Sequence, residues 1–331
     1  MTPTDEAPQS AGDDPLAPRD FRVRTEAILE PRAFGQASDS AGPRDIPLQQ
    51  LAVACREACE VAPPATDILQ AEIDRLLQRT FTAEDGVTLA DIQRLADEGL
   101  AVAMTGRMDG ASSRFVRANR VLAESALGPL ARSVAESLLW GREAVSETLA
   151  GRFEWAAEQM EAAFDHDLAA EDAGLELLLA HRIRLVHVRL RLDQTRGRFG
   201  EALLLGAGLL QYLERPSEPP CTSLRPAWRR GWRDHRGVID AALAADLHRQ
   251  IAEDQVALLA ALEAKDGGAA AVELRRFSPD QPSQIGHWTR FQIARLEGDE
   301  AHRNEAARAV LTGGARPSAP LCASVAAAVL A

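Results

Sequence analysis

The sequence predicts an all-α protein, an α-solenoid of antiparallel helix pairs preceded by a disordered N-terminal segment. Three observations predict it. From residue 46 onward alanine, leucine, glutamate and arginine dominate, with hardly a run of β-branched residues, which is a helix-forming composition. The triplet Gly-Arg-(Phe or Met) occurs three times, in "TGRMDGASSRF", "AGRFEWAAEQM" and "RGRFGEALLLG", with Gly106, Gly151 and Gly197 at 45- and 46-residue intervals. Around each of these glycines, small and bulky residues recur at matching offsets. A glycine that takes the left-handed conformation ends one helix and lets the next begin almost at once. One such hairpin cannot bury its apolar face alone, whereas stacked hairpins can.

Four segments follow in order. Residues 1–45 are rich in Pro, Ala, Asp, Ser and Gly without a period of 2 or 3.6, the composition of a disordered segment. Within them "DFRVRTEAILEPRAF" is more hydrophobic, either a short docking segment or a transient helix. Residues 46–213 carry the helical repeats. Residues 214–237 form a proline-, arginine- and tryptophan-rich loop, because "ERPSEPPCTSLRP" holds four prolines and cannot be a helix interior. Residues 238–331 hold degenerate helical repeats, with two turns expected at Gly267 and Gly298.

The offsets carry a resemblance. Around Gly151 stand Trp140, Ala144, Phe153, Ala156, Met160 and Ala163, and around Gly106 stand Leu95, Gly99, Met108, Ala111, Phe115 and Ala118. These sets fit the small and bulky positions of the tetratricopeptide repeat, and residues 90–215 resemble that family. The third unit departs from it. Val186, Phe199 and Ala202 fit around Gly197, but Leu190, Gly206 and Leu209 stand where a small, a large and a small residue are expected. The spacing departs as well, being about a dozen residues longer than the family's. It implies helices lengthened by three turns, or an added short helix such as "EDAGLELLLA" at 171–180.

The resemblance implies a groove lined by the first helix of each pair, at fixed offsets before the turn glycine. Carried over, the lining residues are Gln93, Ala96, Leu100 and Ala103, then Leu138, Gly141, Val145 and Thr148, then Arg184, His187, Arg191 and Gln194. The first two sets are mostly apolar and the third is basic. Such a groove suits a peptide or protein segment, an acidic one in particular, that buries a hydrophobic residue and presents a carboxylate or phosphate. The bland alternative is that the arginines solvate an outer face. A second basic cluster, "RPAWRRGWRDHRG" at 225–237, interleaves five arginines with Trp228 and Trp232. That combination serves single-stranded nucleic acid or a protein interface, or simply anchors a loop.

Composition narrows the partners. A net charge of −12 opposes broad binding to nucleic acid or an anionic membrane surface, so any basic site is local. Lysine occurs once, at Lys265, which reads as a GC-rich bacterial genome and removes Schiff-base lysine chemistry from nearly the whole chain. Cys55, Cys59, Cys221 and Cys322 are too scattered for a disulfide framework. Cys55 and Cys59 would lie one helical turn apart, half of a metal site at most. "FDHDLAAED" gathers Asp165, His166, Asp167, Glu171 and Asp172, for which polar residues near a helical turn are a sufficient account. No Gly-x-Ser-x-Gly elbow and no dinucleotide-binding glycine loop calls for a nucleophile or a cofactor. No secretory signal and no apolar run of membrane-spanning length is visible, which points to the cytoplasm. The expectation is therefore a protein-binding scaffold or adaptor without catalytic, cofactor or metal residues. Its rivals are an all-α ligand-sensing domain of a transcriptional regulator and an enzyme with an unrecognised helical active site.

Overall fold

The computed structural model describes residues 46–59, 67–215, 226–277, 283–313 and 318–331. The expected disorder of residues 1–45, the docking segment within it and Cys221 lie outside them. Thirteen α-helices account for nearly everything described: α1 (Leu48–Cys59), α2 (Ile68–Thr80), α3 (Ala83–Met104), α4 (Met108–Glu124), α5 (Pro129–Leu149), α6 (Phe153–Asp172), α7 (Leu178–Thr195), α8 (Phe199–Glu214), α9 (Ala241–Lys265), α10 (Gly267–Arg276), α11 (Gln284–Glu297), α12 (Glu300–Thr312) and α13 (Ala319–Leu330). A single 3-10 turn, Pro226–Arg229, precedes α9, and no strand occurs among the described residues. No described helix is long and apolar enough to cross a membrane.

The turn glycines behave as local chemistry demands. Gly106, Gly151 and Gly197 have φ of 79°, 76° and 75°. Each donates its N–H to the carbonyl three residues back, and the following arginine donates to the carbonyl five residues back, as in Arg152 N to Glu147 O at 2.9 Å and Arg198 N to Asp193 O at 2.8 Å. Two carbonyls that a helix end leaves without a partner are thereby satisfied. Gly298, at 74°, closes α11 in the same way. Gly267 does not; Asp266 caps α10 there by accepting from Ala269 N at 3.0 Å. A fifth such closure occurs at Gly174, φ 102°, where Leu175 N donates to Ala170 O. The expected extra helix at 171–180 is therefore absent: its residues divide between the end of α6, this turn and the start of α7. Longer helices account for the repeat length, since α3 has 22 residues, α5 has 21 and α6 has 20.

α3 packs on α4, α5 on α6 and α7 on α8, and the leading helices α3, α5 and α7 also touch in succession. The small positions explain how. A Cβ on Gly99 would lie 2.9 Å from the Phe115 ring, so α3 and α4 approach closely only because that atom is missing. All eighteen offset residues named above are buried or half-buried. Past α8 the order loosens: α9 packs on α8 and α7, α10 bridges α9 and α11, and α12 and α13 receive α1. The first described helix thus docks on the last, and Arg308 of α12 donates to Ile46 O across 262 positions of chain.

Candidate functional site

Helix α2 decides how the expected groove is used. Asp67 caps it by accepting from Gln70 N at 3.1 Å, and Leu69, Ile73 and Leu77 form one apolar stripe four residues apart. That stripe faces inward, 2%, 1% and 5% exposed, while α2 packs on α3, α7 and α9. The chain's own helix therefore crosses the leading helices.

Its polar end is held by residues of α7 and α5. Arg184 donates from Nη1 and Nη2 to the two carboxylate oxygens of Asp67, at 2.9 and 3.1 Å. Arg142 donates to Gln70 Oε1 at 2.6 Å and also pairs with Asp97 of α3. Burial pushes the Asp67 carboxyl up, but Arg184 and the backbone N–H groups at the start of α2 outweigh it and hold the pKa below the ordinary carboxylate range. The pair is half exposed, so its contribution to stability lies at about 0–1 kcal/mol, and it orients α2 more than it holds it.

The other basic residues of α7 turn to α9. His187 Nε2 lies 2.7 Å from Asp254 Oδ2, and Arg191 pairs with the same carboxylate. Burial lowers the His187 pKa beyond what Asp254 restores, so the ring is neutral near pH 7; the same carboxylate, pulled up by burial, is held down by His187 and Arg191. The three basic residues of the expected groove lining are thus divided between two carboxylates of the chain, Asp67 and Asp254. Reversing both arginines to glutamate would set like charges against Asp67 and Asp254, so folding would not be indifferent to that double change.

The remaining lining residues differ in access. Leu138 is buried in the core, and Leu100, Val145 and Gln194 are half-buried. Gly141 lies under α7, where a Cβ would meet Leu185 Cδ2 at 2.9 Å, so it serves helix contact rather than groove lining. Trp228 and Trp232 are turned inward: their ring centroids stand 5.1 and 6.2 Å from that of Phe164, and Trp232 Nε1 donates to Trp228 O. They anchor the loop to α6, with Trp228 buried and Trp232 half-buried. Arg230, Arg233 and Arg236 of the same segment pair with Asp165, Glu176 and Asp234.

The acidic cluster of α6 is distributed in the same manner. Asp167, fully buried, accepts from Ser137 Oγ at 2.6 Å and stands 2.7 Å from His181 Nδ1. Ser, His and Asp meet here, but Ser137 and Asp167 both approach the same ring nitrogen. A nucleophilic relay needs the hydroxyl on one nitrogen and the carboxylate on the other, so this trio ties α5, α6 and α7 together instead. Glu171 pairs with Arg182, and His166 with Ser133 and Glu136. Among the described residues no three His, Cys, Asp or Glu side chains are placed to hold a metal ion.

No protein family, curated protein or solved structure matches the chain. What reading the residues in order missed is α2, whose stripe of Leu69, Ile73 and Leu77 is visible in the sequence but whose seat on α7 is not.

Proposed function

We infer that the protein is a non-catalytic binding module of tetratricopeptide type, a scaffold or adaptor that holds a segment of another protein along its leading helices. The observation that carries this reading is α2 itself, a helical segment lying across α3, α7 and α9 with its acidic cap on Arg184. The surface accepts an amphipathic helix and orients it by charge, which is the helix-in-groove mode of peptide recognition. The tight approach of α3 and α4 at Gly99 and the repeated glycine closures support the solenoid arrangement.

The test is selection of displayed peptides on the immobilised full chain, with Arg184→Glu as the counter-screen. Enriched peptides should carry an acidic residue beside apolar ones and lose about tenfold or more in affinity for the variant, the scale for reversing one charge of a recognition pair. Failure to enrich any peptide, or enrichment indifferent to Arg184→Glu, sinks the reading.

A further inference from the structure

We propose that α2 is an intramolecular stand-in for the external ligand, and that this ligand is a protein segment which folds as an amphipathic helix, displaces α2 and takes its seat. The segment begins with an acidic cap and carries Leu or Ile at every fourth position. This rests on the groove reading above and adds the chemistry of the partner and the way access is controlled.

Four observations carry it. First, α2 is attached more weakly than α7, the helix that holds its polar end: three of its 13 residues are buried, against 13 of the 18 in α7. Elements with few buried side chains open locally at the lowest free-energy cost. Second, α2 leaves without unravelling its neighbour. Thr82 caps α3 with its own side chain, accepting from Asp85 N at 3.1 Å, and Phe81 and Thr82 between the helices are extended. Third, the other side is anchored independently, because α1 packs on α12 and α13, so displacement leaves the rest of the described fold in place.

Fourth, departure of α2 leaves the two arginines differently placed. Arg142 keeps Asp97 as a partner, whereas Arg184 loses Asp67. The vacated seat therefore favours a ligand that brings a carboxylate to Arg184, followed by apolar side chains at the spacing of Leu69, Ile73 and Leu77. While α2 is seated, the apparent affinity for such a ligand falls by the fraction of molecules in which the seat is open.

The experiment uses a fluorescein-labelled peptide of residues 66–81, "TDILQAEIDRLLQRTF", titrated onto the full chain and onto full-chain Ile73→Ser. The variant should bind the peptide at least about tenfold more tightly than the parent, since a buried isoleucine no longer holds the competitor. A peptide carrying Asp67→Arg should lose that gain. A folded Ile73→Ser chain that binds no better than the parent overturns the proposal. If Ile73→Ser does not fold, amide exchange in the parent decides: α2 exchanging at least about 100-fold faster than α5 supports displacement, and equal protection overturns it. A parent that sediments as a dimer by exchanging α2 between two copies also overturns it. Should displayed peptides bind while the 66–81 peptide does not, the groove reading stands and this inference falls; if neither binds, both fall.

Discussion

Leu190 of α7 packs over Gly206 of α8, so closely that a Cβ on the glycine would lie 2.7 Å from Leu190 Cδ1. The same two repeat positions in the first unit hold Gly99 and Phe115, in contact with the sizes exchanged. At these two positions the third unit's departure from the repeat pattern is therefore a compensated swap, large for small on one helix and small for large on the other. Leu190→Ala should cost about 2–5 kcal/mol by leaving a cavity, and Gly206→Ala about 1–3 kcal/mol by overpacking. In the double variant the added methyl enters the vacated space, so urea melts should show a coupling of about 0.5 kcal/mol or more. Strict additivity would show that the two sites do not share their space. Rescue should stop short of complete, because Gln255 also faces Gly206.

Gly151→Ala isolates the backbone term. Nothing lies within 4 Å of the Cβ it would add, yet φ is 76°. The left-handed conformation costs an L-residue about 1–2 kcal/mol, and thermal melts should register that loss without a change in helix content. A melt equal to the parent's would mean that the turn tolerates a side chain.

Arg182 and Glu171 form a pair whose side chains are 0% and 4% exposed, and Arg182 also donates to the carbonyls of Arg230 and Gly231. Arg182→Met leaves the buried carboxylate only Arg233, at 3.5 Å, and should cost about 3–5 kcal/mol. Adding Glu171→Leu should recover part of it, because an apolar pair of similar volume no longer buries a charge. Denaturant midpoints for the two variants make the comparison, and no recovery would mean that Arg182 acts chiefly through the loop carbonyls.

Three histidines, His187, His235 and His287, have pKa values lowered by burial. For each, the unfolded chain binds a proton near pH 6.5 that the folded chain still refuses, so stability is full above that value and is lost as pH falls through the folded pKa. The melting temperature should drop between pH 7 and 5, ahead of the carboxylate range. His187→Gln should flatten the slope, since the neutral amide does not titrate between Asp254, Arg191 and Arg184. An unchanged slope would assign the pH dependence to the other histidines.

The turns were legible in the sequence because their cause is local. A glycine, an arginine and a bulky residue suffice to close one helix and open another, as Gly106, Gly151 and Gly197 do, and at Gly298 the acidic Asp299 and Glu300 open the next helix instead. Gly174 escaped because neither an Arg-Phe pair nor a capping Asp follows it, although the same hydrogen bonds form. Long-range partners were not legible. Nothing near Arg184 in the chain points to Asp67, 117 positions away, and nothing near Trp228 shows that Phe164 receives it. The basic residues of α7 are plain in the sequence, but whether its arginines meet solvent, a ligand or the chain depends on α2 and α9.

The docking of α1 on α12 and α13 sets an order in time. With 262 positions between Ile46 and Arg308, a ribosome adding about 5–20 residues per second extrudes α1 roughly 13–50 seconds before its partner exists. During that wait Leu51 and Ala52, buried in the finished protein, have no surface to meet. The nascent chain therefore carries an uncovered apolar helix until α12 and α13 emerge and retire it.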